Sequence, residues 1–302
     1  MRNVQFLRSL CVALCLFFVP SAFAAERLKP FVLAAVVEAS LDQALADVRT
    51  QLDENNFEIL GEYRPYEGAA VVIATNDELK SVSQEDRLSG FASTIRVGFS
   101  ETEQGVQVSY LNPEYLAAAY RLESDLAATQ SALEAGLGKQ ELYGSSKGLT
   151  EKKLRKYHYT FGMEYFDDPY KLASFESQEA AIAAVEAGLA ANTQGVANLY
   201  RLDLPRENAS VFGVSMGPGA EDDKYRDDAF QMSIVDFGEL KSSAYLPYQI
   251  LVADGEVLAL HMRFRMAVHF PDLSMMGKHS FMTLMPSPKA IEKALKGAVA
   301  GE

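Results

Sequence analysis

The chain has 302 residues and a formal net charge of −13 at pH 7. Such an excess of negative charge repels phosphate backbones and anionic lipid headgroups, which argues against nucleic acid or an anionic membrane surface as a partner. The length is enough for two ordinary domains, each with its own core. Both cysteines, Cys11 and Cys15, lie among the first 24 residues, so the remainder of the chain cannot form a disulfide.

The N-terminal residues have the pattern of a cleavable secretion signal. Arg2 and Arg8 make its start positive, an apolar run occupies residues 10–19, and Ala22-Phe23-Ala24 matches the small-x-small pattern before a cleavage site. That run is about half as long as the roughly 20 residues that a membrane-spanning helix needs, and no later run is longer. We therefore expect residues 1–24 to be a signal peptide, and the mature protein to be periplasmic, without a membrane span.

After the signal, the predicted elements occur twice in a similar order, strand-helix-strand-strand-helix-strand-strand-helix. This order predicts an α+β fold of two similar domains, each an antiparallel sheet packed with helices. The first domain is expected over residues 25–136, a polar linker over 137–156, and the second domain over 157–302 with an insertion near 267–287. The predicted elements of the first domain are a strand at 31–39, a helix capped by Ser40, strands at 57–64 and 69–75, a short helix from Asn76, a hairpin turning at Gly105, and a closing helix that begins at Asn112-Pro113.

The second domain is expected to begin with a strand over residues 157–166, where aromatic and polar residues alternate. A helix capped by Ser177 follows. The remaining predicted elements are strands at 196–203 and 209–216, an acidic, solvent-exposed helix at 221–228, a hairpin around Gly255 whose second strand runs from 256 to 270, and a closing helix from Ser287-Pro288.

Parts of the second domain resemble a known family. The hairpin LPYQILVADGEVLAL, the segment EYFDDPYKLASF and the tandem element order are similar to the bacterial domain-of-unknown-function family 302. The resemblance covers most of the chain after the signal and is strongest over residues 157–300. It implies a compact α+β domain with an antiparallel sheet that occurs singly or in tandem, and it brings no catalytic residues to assign.

The predicted last strand of the second domain contains the main candidate for a binding site. In a strand over residues 261–270 the odd positions share one face, and that face combines two imidazoles with two guanidinium groups. These groups suit a small anionic or amphipathic ligand, although carboxylates of the same chain are the other obvious partners. The candidate ligand-binding residues are His261, Arg263, Arg265 and His269.

Metal handling is the alternative function, because methionine and histidine alternate over residues 261–285. Thioether and imidazole groups favour Cu(I). Strand alternation would place Met262 and Met266 in the core, which leaves the methionines of the insertion for such a role. The residues concerned are His261, Met262, Met266, His269, Met275, Met276, His279, Met282 and Met285. No cofactor is predicted from the sequence otherwise.

A serine hydrolase is the third hypothesis and has the weakest support. Residues 213–217, GVSMG, match the G-x-S-x-G pattern with Ser215 in the nucleophile position. A nucleophile serine of this kind leads directly into a helix, whereas Pro218 and Gly219 interrupt the chain here. We therefore predict no catalytic residue.

If the signal is cleaved as predicted, the exported protein begins at Ala25 and contains no thiol. Intact-mass spectrometry of protein recovered from the periplasm measures both properties. A mass that includes Met1, or one that carries a lipid adduct, would contradict the predicted location.

Overall fold

The computed structural model describes residues 26–192 and 194–300. It has the predicted α+β architecture, with two antiparallel sheets packed with helices. The predicted signal segment, residues 1–24, lies outside the described residues. Among the helices that are described, none has the length and apolar character needed to cross a bilayer.

The first sheet is formed by residues before 144. Its strands are β1 (Phe31–Val37), β2 (Glu58–Tyr63), β3 (Ala69–Thr75), β4 (Ile95–Thr102), β5 (Gly105–Leu111) and β6 (Glu141–Tyr143). They lie in the order β2-β3-β4-β5-β1-β6, and every neighbouring pair is antiparallel. The helices of this half are α1 (Leu41–Glu54), α2 (Asp77–Ser81), α3 (Pro113–Ala119), α4 (Ala127–Leu137) and α5 (Glu151–Leu154).

The second sheet is formed by residues after 169. Its strands are β7 (Tyr170–Ser174), β8 (Val196–Asp203), β9 (Ala209–Met216), β10 (Tyr248–Ala253) and β11 (Glu256–Ala259). They lie in the order β7-β11-β10-β9-β8, again with antiparallel neighbours. The helices of this half are α6 (Gln178–Ala191), α7 (Asp228–Val235), α8 (Met262–His269) and α9 (Ser287–Ala300).

The two sheets have the same strand order when each is numbered from its own first strand. β2-β3-β4-β5-β1 corresponds to β8-β9-β10-β11-β7, and β6 is an addition to the first sheet. This agreement is compatible with the predicted two copies. The buried apolar side chains of both halves nevertheless form one continuous cluster, so the division into two separate domains remains a prediction.

Local signals in the sequence account for several element boundaries. The hydroxyl groups of Ser40 and Ser177 accept backbone N–H bonds at the starts of α1 and α6, as their capping positions predict. Pro113 occupies the first turn of α3. Gly105 and Gly255 turn the two hairpins with φ of 124° and 79°, a region that side chains with a Cβ disfavour.

The strand predicted over residues 157–166 is wrong. This segment is irregular, and the first strand of the second sheet is β7, which begins at Tyr170. The tyrosines that suggested a strand cover the interior instead. Tyr157 OH donates to Ala267 O at 2.9 Å, and the Tyr159 ring packs on Phe281 with centroids 4.2 Å apart. A pattern of alternating aromatic residues is therefore compatible with an irregular segment packed on the core as well as with a β-strand.

The strand predicted over residues 256–270 is wrong after Ala259. The chain leaves the sheet at Leu260 and forms the helix α8, with His261 as its N-cap. Seven of the eight residues of α8 are buried, so its apolar positions show no helical stripe, and the sequence could not separate a helix from a strand. At the C-terminal end of the helix, the hydroxyl group of Tyr115 donates to Val268 O, and that of Tyr157 donates to Ala267 O.

The segment predicted as a linker, residues 137–156, contributes to the first half. It supplies β6, which pairs with β1, and the short helix α5. The exposed helix predicted over residues 221–228 is also wrong. Only one 3-10 turn forms there, at Lys224–Arg226, and the α-helix α7 begins at Asp228. Arg226 is buried and donates to Pro218 O at 2.8 Å, and Asp228 is buried at the start of α7.

The two halves meet along β4, which packs against residues 243–249. Arg96 Nε donates to Ala244 O and Arg96 Nη1 to Gln249 Oε1, both at 3.2 Å. Ser100 Oγ donates to Ser243 Oγ at 3.1 Å. Between them lies Gly98, where a Cβ would be 2.4 Å from the backbone nitrogen of Ala244. The approach of the two main chains therefore requires glycine at position 98.

We expect Gly98→Ala to reduce the free energy of unfolding by about 1–3 kcal/mol, because the added methyl group overpacks a contact made of backbone atoms. Denaturant-induced unfolding measures this change. Gly217→Ala is the control, since a Cβ at position 217 meets no atom closer than 3.7 Å. Equal stability of the two variants would show that the contact between the halves is not tight.

Candidate functional site

The four predicted ligand-binding residues do not share one face. His261 and Arg263 lie at the start of α8, where both meet Glu164. Its Oε1 is 3.3 Å from His261 Nε2 and 3.0 Å from Arg263 Nη1. His261 Nδ1 accepts the backbone N–H of Arg263, which leaves the proton on Nε2 facing the carboxylate. The charge of Arg263 is thus neutralised within the chain, and the neutral imidazole of His261 has both of its nitrogens paired.

Arg265 and His269 lie in the protein interior, one helical turn apart. Arg265 Nη2 donates to Tyr245 O at 2.6 Å and to Pro247 O at 2.8 Å. Its guanidinium carbon is 3.8 Å from the centroid of the Tyr245 ring. His269 Nδ1 is 2.8 Å from Arg265 O, so it donates its proton to that carbonyl. Both residues hold the fold together and present no surface to a ligand.

Burial favours the neutral form of both histidines. Burial lowers the pKa of His261, although the nearby Glu164 opposes this shift. Burial, together with the positive charges of Arg96 and Arg265, lowers the pKa of His269 well below its usual value. Both shifts favour the neutral imidazole, which is the opposite of what an anion site tuned by histidine protonation needs.

Ser215 lacks the surroundings of a nucleophile. It is the second-last residue of β9, and its hydroxyl donates weakly to Ala197 O at 3.4 Å. Within the described ranges, no histidine or carboxylate is hydrogen-bonded to it. The chain then turns at residues 217–219 and forms no α-helix until Asp228. Among the described residues, none is hydrogen-bonded to this hydroxyl as a base that could activate it.

A cleft of about 300 Å³ opens where the two halves meet, at the end of β6. Most of its wall is apolar, and its volume is at the lower end of the range for small-molecule sites. Its lining residues are Tyr143, Gly144, Val235, Asp236, Phe237, Gly238, Leu240, Ser242, Phe270, Asp272 and Leu273. We call this space the inter-half cleft.

One wall of the inter-half cleft is the loop of residues 236–242, which the first half holds in place. The Gln107 side chain accepts from Lys241 N at 2.8 Å and donates to Lys241 O at 2.7 Å. Tyr143 OH also donates to Lys241 O. Gln107 is buried, so this pairing through both amide atoms fixes the loop on the first sheet.

Two carboxyl groups supply the charge of the cleft. Asp236 is half-buried and accepts the backbone N–H of Ser242 at 2.8 Å. Burial raises the pKa of Asp236 to about 6, and the Ser242 hydrogen bond partly opposes this shift. Asp272 is exposed and accepts from the backbone N–H of Ser146. No basic side chain lines the cleft within the described residues.

The cleft can therefore hold an apolar group against Phe237, Leu240 and Phe270, with a hydrogen-bond donor or a positive charge at Asp236. It would repel an anionic group. Sequence reasoning missed this site because its residues come from three separate segments. The one local feature of the sequence that could have pointed to the cleft is Asp236-Phe237-Gly238, where a charged residue and an exposed aromatic residue lie in a turn.

In the described part of the chain, no group of three His, Cys, Asp or Glu side chains is placed to hold a metal ion. The predicted copper set is divided. Met262 and Met266 are buried, as expected, and His261 and His269 are engaged as described above. The methionines of the insertion are exposed.

In comparisons with protein-family models, curated proteins and solved structures, the chain has no significant match. The resemblance to domain-of-unknown-function family 302 accordingly remains a prediction.

We expect Arg265→Ala to reduce the free energy of unfolding by about 3 kcal/mol, because it leaves two buried carbonyls unpaired and removes packing from the Tyr245 ring. Arg263→Ala, two residues away on the same helix, is expected to cost about 0.2–1 kcal/mol, as usual for a partly exposed ion pair. Thermal and denaturant-induced unfolding compare the two variants. Similar losses would show that Arg265 is less important than its contacts indicate.

Proposed function

We propose that this is an exported binding protein, without catalytic activity of its own, that takes a small amphipathic ligand into the inter-half cleft. The observation that carries the proposal is the combination of an apolar wall with the half-buried carboxyl group of Asp236. Such a site suits a ligand with an apolar body and a positively charged or hydrogen-bond-donating end.

The charge of the whole chain supports the choice of a cationic ligand over an anionic one. The formal net charge is −13, and loss of the predicted signal removes two arginines and makes it more negative still. A negative surface raises the local concentration of cations and their rate of association. The arginines that first suggested an anionic ligand already pair with Glu164 or with main-chain carbonyls.

Titration calorimetry with octylamine, octanol and octanoate tests this proposal, since the three probes share a chain length and differ in charge. We expect octylamine to bind best, octanol less well and octanoate worst. Asp236→Asn should weaken octylamine binding about tenfold, which corresponds to roughly 1.4 kcal/mol for one charged contact. Octylamine binding should also weaken as the pH falls below about 6, because Asp236 then becomes protonated and loses its charge.

Asp47→Asn is the matched control, because it removes one exposed negative charge on α1 and leaves the cleft unchanged. It is expected to leave octylamine binding within about twofold of the wild type. Leu240→Ser should weaken octylamine and octanol by the same factor, since it alters only the apolar wall. Tighter binding of octanoate than of octylamine would refute the proposal.

A further inference from the structure

The four methionines of the insertion near residues 267–287 are exposed although methionine is usually a core residue. Their exposed fractions are 42% for Met275, 78% for Met276, 50% for Met282 and 59% for Met285. By contrast, Met262 and Met266 in α8 are 1% and 0% exposed. A large part of each of these four side chains is therefore open to solvent.

Backbone hydrogen bonds bring three of these methionines to neighbouring positions. Met282 N donates to Met275 O at 3.2 Å, so the two residues lie side by side on adjacent passes of the chain. Met285 N donates to Met282 O at 3.3 Å, which places Met285 one turn further along. The loop between them is closed by Thr283, whose hydroxyl donates to Gly277 O and Lys278 O. Three flexible thioether side chains thus start from one compact loop.

The histidine of this loop is held in the orientation of a metal ligand. His279 Nδ1 lies 2.9 Å from Ile234 O, and a carbonyl oxygen only accepts, so Nδ1 carries the proton. The lone pair is therefore on Nε2, which makes no hydrogen bond within the described residues. The His279 ring also packs on Phe237, with centroids 4.5 Å apart. Metal-binding histidines are typically fixed by this kind of N–H to carbonyl contact at the other nitrogen.

We propose that residues 275–285 form a Cu(I) site in which the thioethers of Met275, Met282 and Met285, together with His279 Nε2, are the ligands. Thioether sulfur and neutral imidazole are soft or intermediate donors that prefer Cu(I), whereas Mg²⁺ and Ca²⁺ need oxygen ligands. The ion binds as Cu(I), so no redox step is involved. The site is independent of the inter-half cleft, although Phe237 touches both.

Competition with bicinchoninate under anaerobic, reducing conditions tests the site on the whole mature chain. We expect the wild type to withdraw one equivalent of Cu(I) from the coloured bicinchoninate complex. The variant Met275→Leu/Met282→Leu/Met285→Leu keeps an apolar surface of similar size and lacks the sulfur atoms. Loss of one outer-shell contact already costs about 10–100-fold in metal affinity, so loss of three ligands is expected to cost more than roughly 100-fold.

Met163→Leu is the matched control, since it removes a sulfur atom outside the insertion and should leave the affinity unchanged. Circular dichroism and thermal unfolding establish that each variant is folded. His279→Gln should weaken Cu(I) binding about tenfold or more. The proposal is wrong if the wild type withdraws no Cu(I), or if the triple leucine variant binds as tightly as the wild type. The latter result would show that the methionine sulfur atoms are not ligands of the Cu(I) ion.

Discussion

The contact of two buried guanidinium groups with residues 244–249 is the constraint on which the rest of the structure depends. Arg96 reaches this segment from β4 in the first half, and Arg265 reaches it from α8 in the second. Both donate to carbonyl or amide oxygens, and neither takes part in a salt bridge among the described residues. Burial lowers the pKa of Arg96, which reflects the cost of holding a charge in the interior. That cost is offset only when both halves are in place.

The same contact positions the candidate sites. Residues 243–249 follow directly on the loop of residues 236–242, whose Lys241 main chain is bound by Gln107 of the first sheet. The inter-half cleft therefore exists only in the assembled protein. His279 and Phe237, which connect the cleft to the methionine loop, depend on the C-terminal end of α7 through Ile234. The lining of the cleft, the contact of His279 and a contact between the halves thus share one helix, α7.

Two carboxyl groups frame α7, and both have a raised pKa because of burial. Asp228 is the first residue of the helix, and its pKa is raised to about 7. Asp236 follows the last residue of the helix, and its pKa is raised to about 6. A folded-state pKa above the unfolded value means that the charged form is disfavoured in the folded protein. For these two groups, the contribution to stability is therefore greatest at low pH and is lost as the pH rises from about 4 through 7. Asp228 also accepts from Tyr63 OH at 2.9 Å, a further contact between the halves.

The sequence by itself determined the α+β class and most strand and helix positions, because capping residues, hairpin glycines and periodic apolar residues act locally. Tertiary structure decided the rest. Residues 261–270 fit a strand and a helix equally well. The folded chain forms the helix, and tyrosine hydroxyls from distant segments bind the carbonyls at its end. The predicted face of two histidines and two arginines does not form in this helix. Residues two positions apart share a face on a strand, but on a helix they point in different directions. The inter-half cleft was beyond prediction for the same reason: its walls are brought together only by contacts between residues far apart in the chain.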